Sequence, residues 1–154
     1  AVSSALNDVV IAKSGFSRMI RLKLFIDDHL TASYPADGLI VSTATGSTGY
    51  SLSAGGPIVN PNLQVMIITP ICPHSLNTRP LVVPDKEEIR IQTQTPHDDI
   101  VLTVDGQTIF SLKEGDQVLV RRSPSQARFI KFRERSYYDL LRTKLRRSDP
   151  DDIF

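Results

Sequence analysis

The sequence predicts a mainly β domain, an antiparallel sandwich-like pair of packed sheets with one or two short helices. Three features carry that expectation: short segments of period-two hydrophobicity, turn residues at short intervals between them, and helical periodicity in only two places. Ile20, Leu22, Leu24 and Ile26 share one face of an extended segment, while Arg21, Lys23 and Asp27 fall on the other. That is a half-buried strand. Asp27-Asp28-His29 then turns the chain into Leu30-Thr31-Ala32-Ser33-Tyr34, which makes a hairpin. The same period recurs at Ile89 and Ile91, at Ile100, Leu102 and Val104, at Val118 and Val120, and at Phe129 with Lys131. Asp105-Gly106 stands between two apolar runs, where glycine supplies the positive φ of a tight hairpin turn. Many short strands with frequent turns suggest a sandwich or barrel.

Helix is expected as one or two turns after Ser47, and over Tyr137 to Leu145. In the second segment Tyr138, Leu141 and Leu145 recur at helical spacing, and Ser136 is placed to cap the first turn. The body of the domain takes in residues 1–146. Residues 147–154 form a polar tail.

The 154 residues are 40% hydrophobic and 23% charged, the balance of one globular domain with a real core. Eighteen Lys and Arg against 17 Asp and Glu give a formal charge of +1, which offers no general reason to bind nucleic acid or anionic lipid. Any ligand must therefore be read from a site. Cys72 is the single cysteine, so no internal disulfide forms, and its apolar surroundings Ile67-Ile68-Thr69-Pro70-Ile71 suggest a buried structural thiol in a reducing compartment. No apolar run approaches the ~20 residues that span a bilayer, and Ala1-Val2-Ser3-Ser4 lacks the basic start of a signal peptide. A cytoplasmic chain is expected. With a strand due by Asp8 and almost no leader before it, the chain reads as a piece of a longer polypeptide.

Two segments carry chemistry. In Asp37-Gly38-Leu39-Ile40-Val41-Ser42-Thr43-Ala44-Thr45-Gly46-Ser47-Thr48-Gly49-Tyr50-Ser51-Leu52-Ser53-Ala54-Gly55-Gly56-Pro57, an apolar strand runs into a turn packed with hydroxyls and glycines. Glycines let backbone N–H groups approach a ligand and hydroxyls both donate and accept, so the turn suits a base edge or a ribose. By composition alone it serves equally as a loop that caps a helix. It matches neither the phosphate-binding loop ending in Gly-Lys-Ser/Thr nor the dinucleotide glycine fingerprint. In the second segment, Ile68 to Pro84, Pro70, Pro73 and Pro80 fix the path of a connection between strands. His74 is assigned there to structural hydrogen bonding, because no second His or Cys stands at ligand spacing. Arg79 is expected to bind carbonyls of its own loop.

These two stretches, Asp-Gly-Leu-Ile-Val-Ser-Thr-x-Thr-Gly-Ser-Thr-x-Tyr-Ser-Leu-Ser-Ala-Gly-Gly-Pro and Thr-Pro-Ile-Cys-Pro-His-Ser-Leu-x-x-Arg-Pro-Leu-Val, resemble the NAD kinase family. The opening Ala5-Leu6-Asn7-Asp8-Val9-Val10-Ile11 resembles the family's Asn-acidic mark at the head of its C-terminal domain. Similarity reaches Tyr138 to Leu145 and so covers nearly the whole chain. The resemblance implies the C-terminal, NAD-binding β domain of an enzyme that makes NADP from NAD, with the N-terminal α/β domain absent from this chain. It implies that Asn7 and Asp8 hold ribose and adenosine groups, and that Thr48, Gly49, Tyr50, Ser51, Leu52 and Ser53 line the adenine and ribose pocket. It implies too that Asp37 would reach the nicotinamide end, in family members from across a subunit interface, and that Arg18 and Gln107 stand where the family places further contacts. A homodimer or homotetramer, and ATP or polyphosphate as donor with a divalent cation, taken as magnesium, are implied likewise.

The chain departs from the family at Ala44, where Pro is usual, at Gly49, where Ala is usual, and at Arg146, where an aromatic often closes the last helix. The family's Gly-Gly-Asp-Gly-Thr motif, source of the base for the ribose 2′-hydroxyl and of part of the donor cradle, occurs nowhere in the 154 residues. Catalytic residues are therefore expected outside this chain, which alone should be inactive. A non-catalytic nucleotide-binding or oligomerisation module, and the matching domain of a lipid kinase, are the competing readings.

Overall fold

The computed structural model of the chain describes residues 1–15, 18–95, 99–130 and 136–145. Among these residues ten strands form two wholly antiparallel sheets. One holds, in spatial order, β6 (Leu81–Pro84), β5 (Val65–Ile71), β4 (Gly38–Thr43), β1 (Asp8–Lys13), β8 (Ile100–Val104) and β9 (Thr108–Leu112). The other runs β10 (Gln117–Val120), β7 (Ile89–Thr93), β2 (Ile20–Ile26) and β3 (His29–Ala36). A 3-10 turn at Thr45–Thr48 and a short helix α1 (Tyr50–Ser53) follow β4, and α2 (Tyr137–Leu145) lies near the end of the chain.

The sandwich follows from the alternation. Ile20, Leu22 and Leu24 turn into one core with Ile89, Ile91 and Val118 of their own sheet, and meet Ile11, Leu39, Val41, Ile68 and Ile100 of the other. Burying such side chains contributes about 1.5–3 kcal/mol each, which is why a period-two pattern fixes the register as well as the strands. The β2–β3 hairpin closes through Asp27 and Asp28 at φ 45° and 65°, the mirror-image turn whose twist matches paired strands. The Asp105-Gly106 turn between β8 and β9 likewise has φ 50° and 64°. Besides Pro84, the last residue of edge strand β6, two prolines lie inside strands without breaking a ladder. Pro35 is on the edge strand β3, and Pro70 sits where β5 has run past its last pairing with β6, so neither missing N–H leaves a bond unmade.

Several expectations are corrected. Cys72 is exposed, because β5 ends at Ile71 and the chain leaves the sheet there through a left-handed residue, φ 44°. Pro70 belongs to β5 and not to the connection after it. His74 ties the loop down through its main-chain N–H, which donates to Pro35 O at 2.8 Å, while its ring is exposed and makes no hydrogen bond among the described residues. Arg79 does bind its own loop, donating to the carbonyls of Leu76 and Thr78 at 2.9 Å each. Ser136 caps α2 by accepting from Tyr138 N at 3.2 Å, but the inward face is Tyr137, Leu141 and Leu145, with Tyr138 exposed. Phe129 is not in a strand, and Lys131, Arg146 and the expected tail at 147–154 lie outside the described residues. Among the described residues no helix is long and apolar enough to cross a membrane.

Leu22 is fully buried where the sheets meet, whereas Tyr138 is largely exposed. Leu22→Ala is expected to lower unfolding free energy by about 2–5 kcal/mol and Tyr138→Ala by less than about 0.5 kcal/mol, measured by urea denaturation.

Candidate functional site

The face of the six-stranded sheet turned away from the core carries a cleft of about 520 Å³. Its walls are the head of β1 (Asn7, Asp8, Val10), the turn after β4 (Thr45, Thr48, Gly49, Tyr50), the β8–β9 hairpin (Thr103, Asp105, Gly106) and Lys144 of α2. Val10 and Thr103 are direct partners in the ladder, which places both side chains on this face.

A single carboxylate organises the cleft's floor. The main-chain N–H groups of Leu6, Asn7 and Asp8 donate to Asp105 at 2.7, 2.7 and 3.0 Å, and Asp105 N donates back to Asp8 O at 2.9 Å. The other side of this segment is held by β4. Thr43 N donates to Asn7 O at 2.9 Å, and the Thr43 hydroxyl donates to Leu6 O at 2.8 Å while accepting from Gly46 N at 3.0 Å. Gly46 packs flat on Asn7, and any side chain there would run into the Asn7 carbonyl. Main-chain bonding thus fixes residues 6–8 and leaves the Asn7 and Asp8 side chains for the cleft.

Asp8 is only 8% exposed, yet its carboxylate accepts no hydrogen bond among the described residues. Burial, and then the charge of Asp105, push its pKa above the ordinary 3.8. For Asp105 burial also acts upward, but the three N–H donors outweigh it and the pKa falls below 3.8. A β-carbon at Gly49 would meet the Gly46 carbonyl at 3.2 Å and stand in ordinary contact with Asp8 Oδ2 at 3.8 Å. The Ser42 hydroxyl, across the ladder from Asp8, is buried without a hydrogen-bond partner.

The structure thus gathers Asn7, Asp8, Thr48, Gly49 and Tyr50 around one cleft. Ser51 turns inward, its hydroxyl 2.8 Å from Thr69 Oγ1, with Gly56 packed against the pair. Leu52 is half-buried and Ser53 exposed, and neither lines the cleft. Gln107 follows Gly106 at the hairpin tip, exposed, its N–H on Val104 O at 3.0 Å. Asp37 lies at the opposite end of β4, five residues from Ser42 and so roughly 17 Å along the strand. There it pairs with Lys13 at 2.9 Å, and Arg18 precedes β2 at the same end, where Ile20 opposes Ala36. One copy of the chain does not bring those two to the cleft. Asp105, Gly106, Thr45, Thr103, Val10 and Lys144 are cleft residues not named for the site from sequence; Asp105-Gly106 was read as a turn alone, and Thr45, Val10 and Lys144 lay inside the motif stretches without a role. Among the described residues no three His, Cys, Asp or Glu side chains gather as metal ligands, so a divalent cation has no ligand set assigned here.

Fold and cleft define a class first: an antiparallel β-sandwich domain with a polar, glycine-walled cleft of nucleoside size on one sheet face. The model of the ATP-NAD kinase C-terminal domain matches residues 6–132, and the chain belongs to that family. It is 55% identical over 143 residues to the NAD kinase of Moorella thermoacetica, covering 93% of this chain and 46% of that protein. To the NAD kinase of Carboxydothermus hydrogenoformans it is 50% identical over 149 residues, 97% of this chain and 53% of the relative. The chain thus spans about half the length of the curated relatives it matches. Among solved structures, yeast NADH kinase complexed with NADH superposes with a TM-score of 0.73 at 40% identity, over 76% of this chain and 34% of that one. An NAD kinase from Archaeoglobus fulgidus in complex with ATP gives 0.71 at 32% identity, over 78% and 46%.

Asp105→Asn keeps a residue that tolerates positive φ but sets an amide N–H₂ against backbone donors, so it should cost about 1–3 kcal/mol of stability in thermal or urea unfolding. A lowered carboxylate pKa stabilises fully above 3.8 and is lost as pH falls below it. The parent should therefore lose more stability than the variant between pH 4 and pH 2, about; parallel pH profiles would refute the clamp.

Proposed function

We propose that this chain is the dinucleotide-binding half of an NAD kinase, which transfers a phosphoryl group from ATP or polyphosphate to the adenosine-ribose 2′-hydroxyl of NAD, giving NADP. The observation that carries the reading is Asp8: a largely buried residue whose carboxylate accepts no hydrogen bond among the described residues, is held in place by backbone bonds and opens on a cleft of nucleoside size. Such an acceptor is costly unless a ligand supplies donors, and the paired hydroxyls of a ribose do so. Asn7 and the Thr48 hydroxyl stand beside it for base and sugar edges, and the Tyr50 ring, 48% exposed at the cleft, offers a face or edge to a base. Ser51, Leu52 and Ser53 shape the turn that presents Tyr50, and Gln107 extends the hairpin rim.

Asp37 and Arg18 are assigned to the site of a neighbouring copy, in a homodimer or homotetramer, since they lie a strand's length from this copy's cleft. The general base and the donor cradle belong to the N-terminal α/β half. The donor's divalent cation, magnesium, would supply charge neutralisation on the donor phosphates; this chain's residues orient the ribose whose 2′-hydroxyl receives the single phosphoryl group. An unpaired, exposed Cys72 accords with the reducing cytoplasm.

In the full-length protein, Asp8→Ala should weaken NAD binding by about one to two decades, the worth of a charged acceptor at roughly 1.5–3 kcal/mol. Tyr50→Ala should weaken it too, and His74→Gln should leave it unchanged. Because the Asp8 pKa is raised, parental affinity should begin to fall on acidification above pH 3.8. Isothermal titration decides; parental NAD affinity in both cleft variants sinks the assignment.

A further inference from the structure

Two carboxylates and one ammonium line the cleft: Asp8, Asp105 and Lys144. Their situations differ. The Asp105 charge is taken up by three N–H donors, and Asp8 is buried beside it, so the cleft's fixed field is negative. A ligand bearing phosphates meets that field unfavourably unless a cation faces it. Lys144 forms no ion pair among the described residues, whereas Arg142 on the same helix is occupied by Asp139 at 3.2 Å. Nothing on α2 is fully buried. The helix is nonetheless docked with its half-buried face Tyr137, Leu141 and Leu145, and the Tyr137 hydroxyl donates to Val59 O at 3.3 Å. That docking brings the last turn, and with it Lys144, to the wall of the cleft that Tyr50 also lines.

Resting on the NAD kinase reading above, we propose that Lys144 is the cleft's phosphate-directed cation, facing a phosphate of the bound dinucleotide. An ammonium on a flexible stem suits this task, because it acts as a point charge and does not require the planar match of a guanidinium. A lysine in a last helical turn also complements the helix dipole, but that role is blind to the ligand. The chemistry allows two phosphates, the pyrophosphate common to NAD and NADP and the ribose phosphate of NADP alone.

The test is calorimetric binding of NAD, NADP and phosphate-free adenosine to the full-length protein and to its Lys144→Gln and Lys144→Arg variants, with melting temperatures in parallel. Lys144→Gln is expected to weaken phosphate-bearing ligands about 3- to 10-fold at low salt, less at about 0.5 M, and adenosine less than about 2-fold. Lys144→Arg should restore most of the loss. Loss for NADP alone assigns the ribose phosphate, and loss shared by NAD and NADP assigns the pyrophosphate. Unchanged affinities, or an equal loss for all three ligands, overturn the proposal, whatever happens to the melting temperature. A parent protein that binds neither NAD nor NADP overturns the function reading, and this inference with it.

Discussion

The Asp105 carboxylate is the contact on which the rest of the site depends. It gathers three consecutive N–H groups, those of Leu6, Asn7 and Asp8, from a segment nearly a hundred residues upstream. These donors lie just where β1 begins, before the ladder can satisfy them, and N–H groups bonded to a charged acceptor hold more strongly than neutral pairs. The same hairpin that supplies Asp105 continues as β8, the neighbour of β1, so the clamp and the ladder share one register, with Val9 opposite Val104. From the other side Thr43 and Gly46 close on Asn7. A cleft residue at position 8 is thereby fixed by bonds that leave its own side chain free.

That arrangement explains how a carboxylate persists in a poor place. Asp8 is buried beside a second carboxylate, with the unpartnered Ser42 hydroxyl across the ladder and no donor among the described residues. In a purely structural role an Asn or Ser would sit there at lower cost. Unfavourable electrostatics held in place by backbone bonding accords with the ligand role proposed for Asp8.

The fold was legible in the sequence to the extent that burial has a period. The β2–β3 hairpin and the Asp105-Gly106 turn were readable because one rests on alternation and the other on positive φ, both local properties. Cys72 was misread because an apolar run does not reveal where its strand stops. On α2, two adjacent tyrosines left the helix phase open, and the acceptor at Val59 that selects Tyr137 lies 78 residues away. For the site, the motif resemblance pointed to Asn7, Asp8 and Thr48 to Tyr50, and these do converge. It extended the lining to Ser53, whereas Ser51 instead faces Thr69 in the interior. Asp105 carries a turn signature that conceals its second task, because a partner at long range leaves no trace in local spacing.

The position of Asp37 separates what one copy of the chain can build from what it cannot. β4 is a rigid rod with the hydroxyl-rich turn at one end and Asp37 at the other, and it is paired on both sides, so the two ends cannot be brought together by bending. The Lys13 ion pair and the mutual backbone bonds of that corner, Lys13 N to Asp37 O at 3.0 Å and Asp37 N to Ile71 O at 2.9 Å, hold the far end in the same rigid frame. The proposed role of Asp37 at a dinucleotide seated in a neighbouring copy fits that separation, with β4 setting the spacing between the two half-sites.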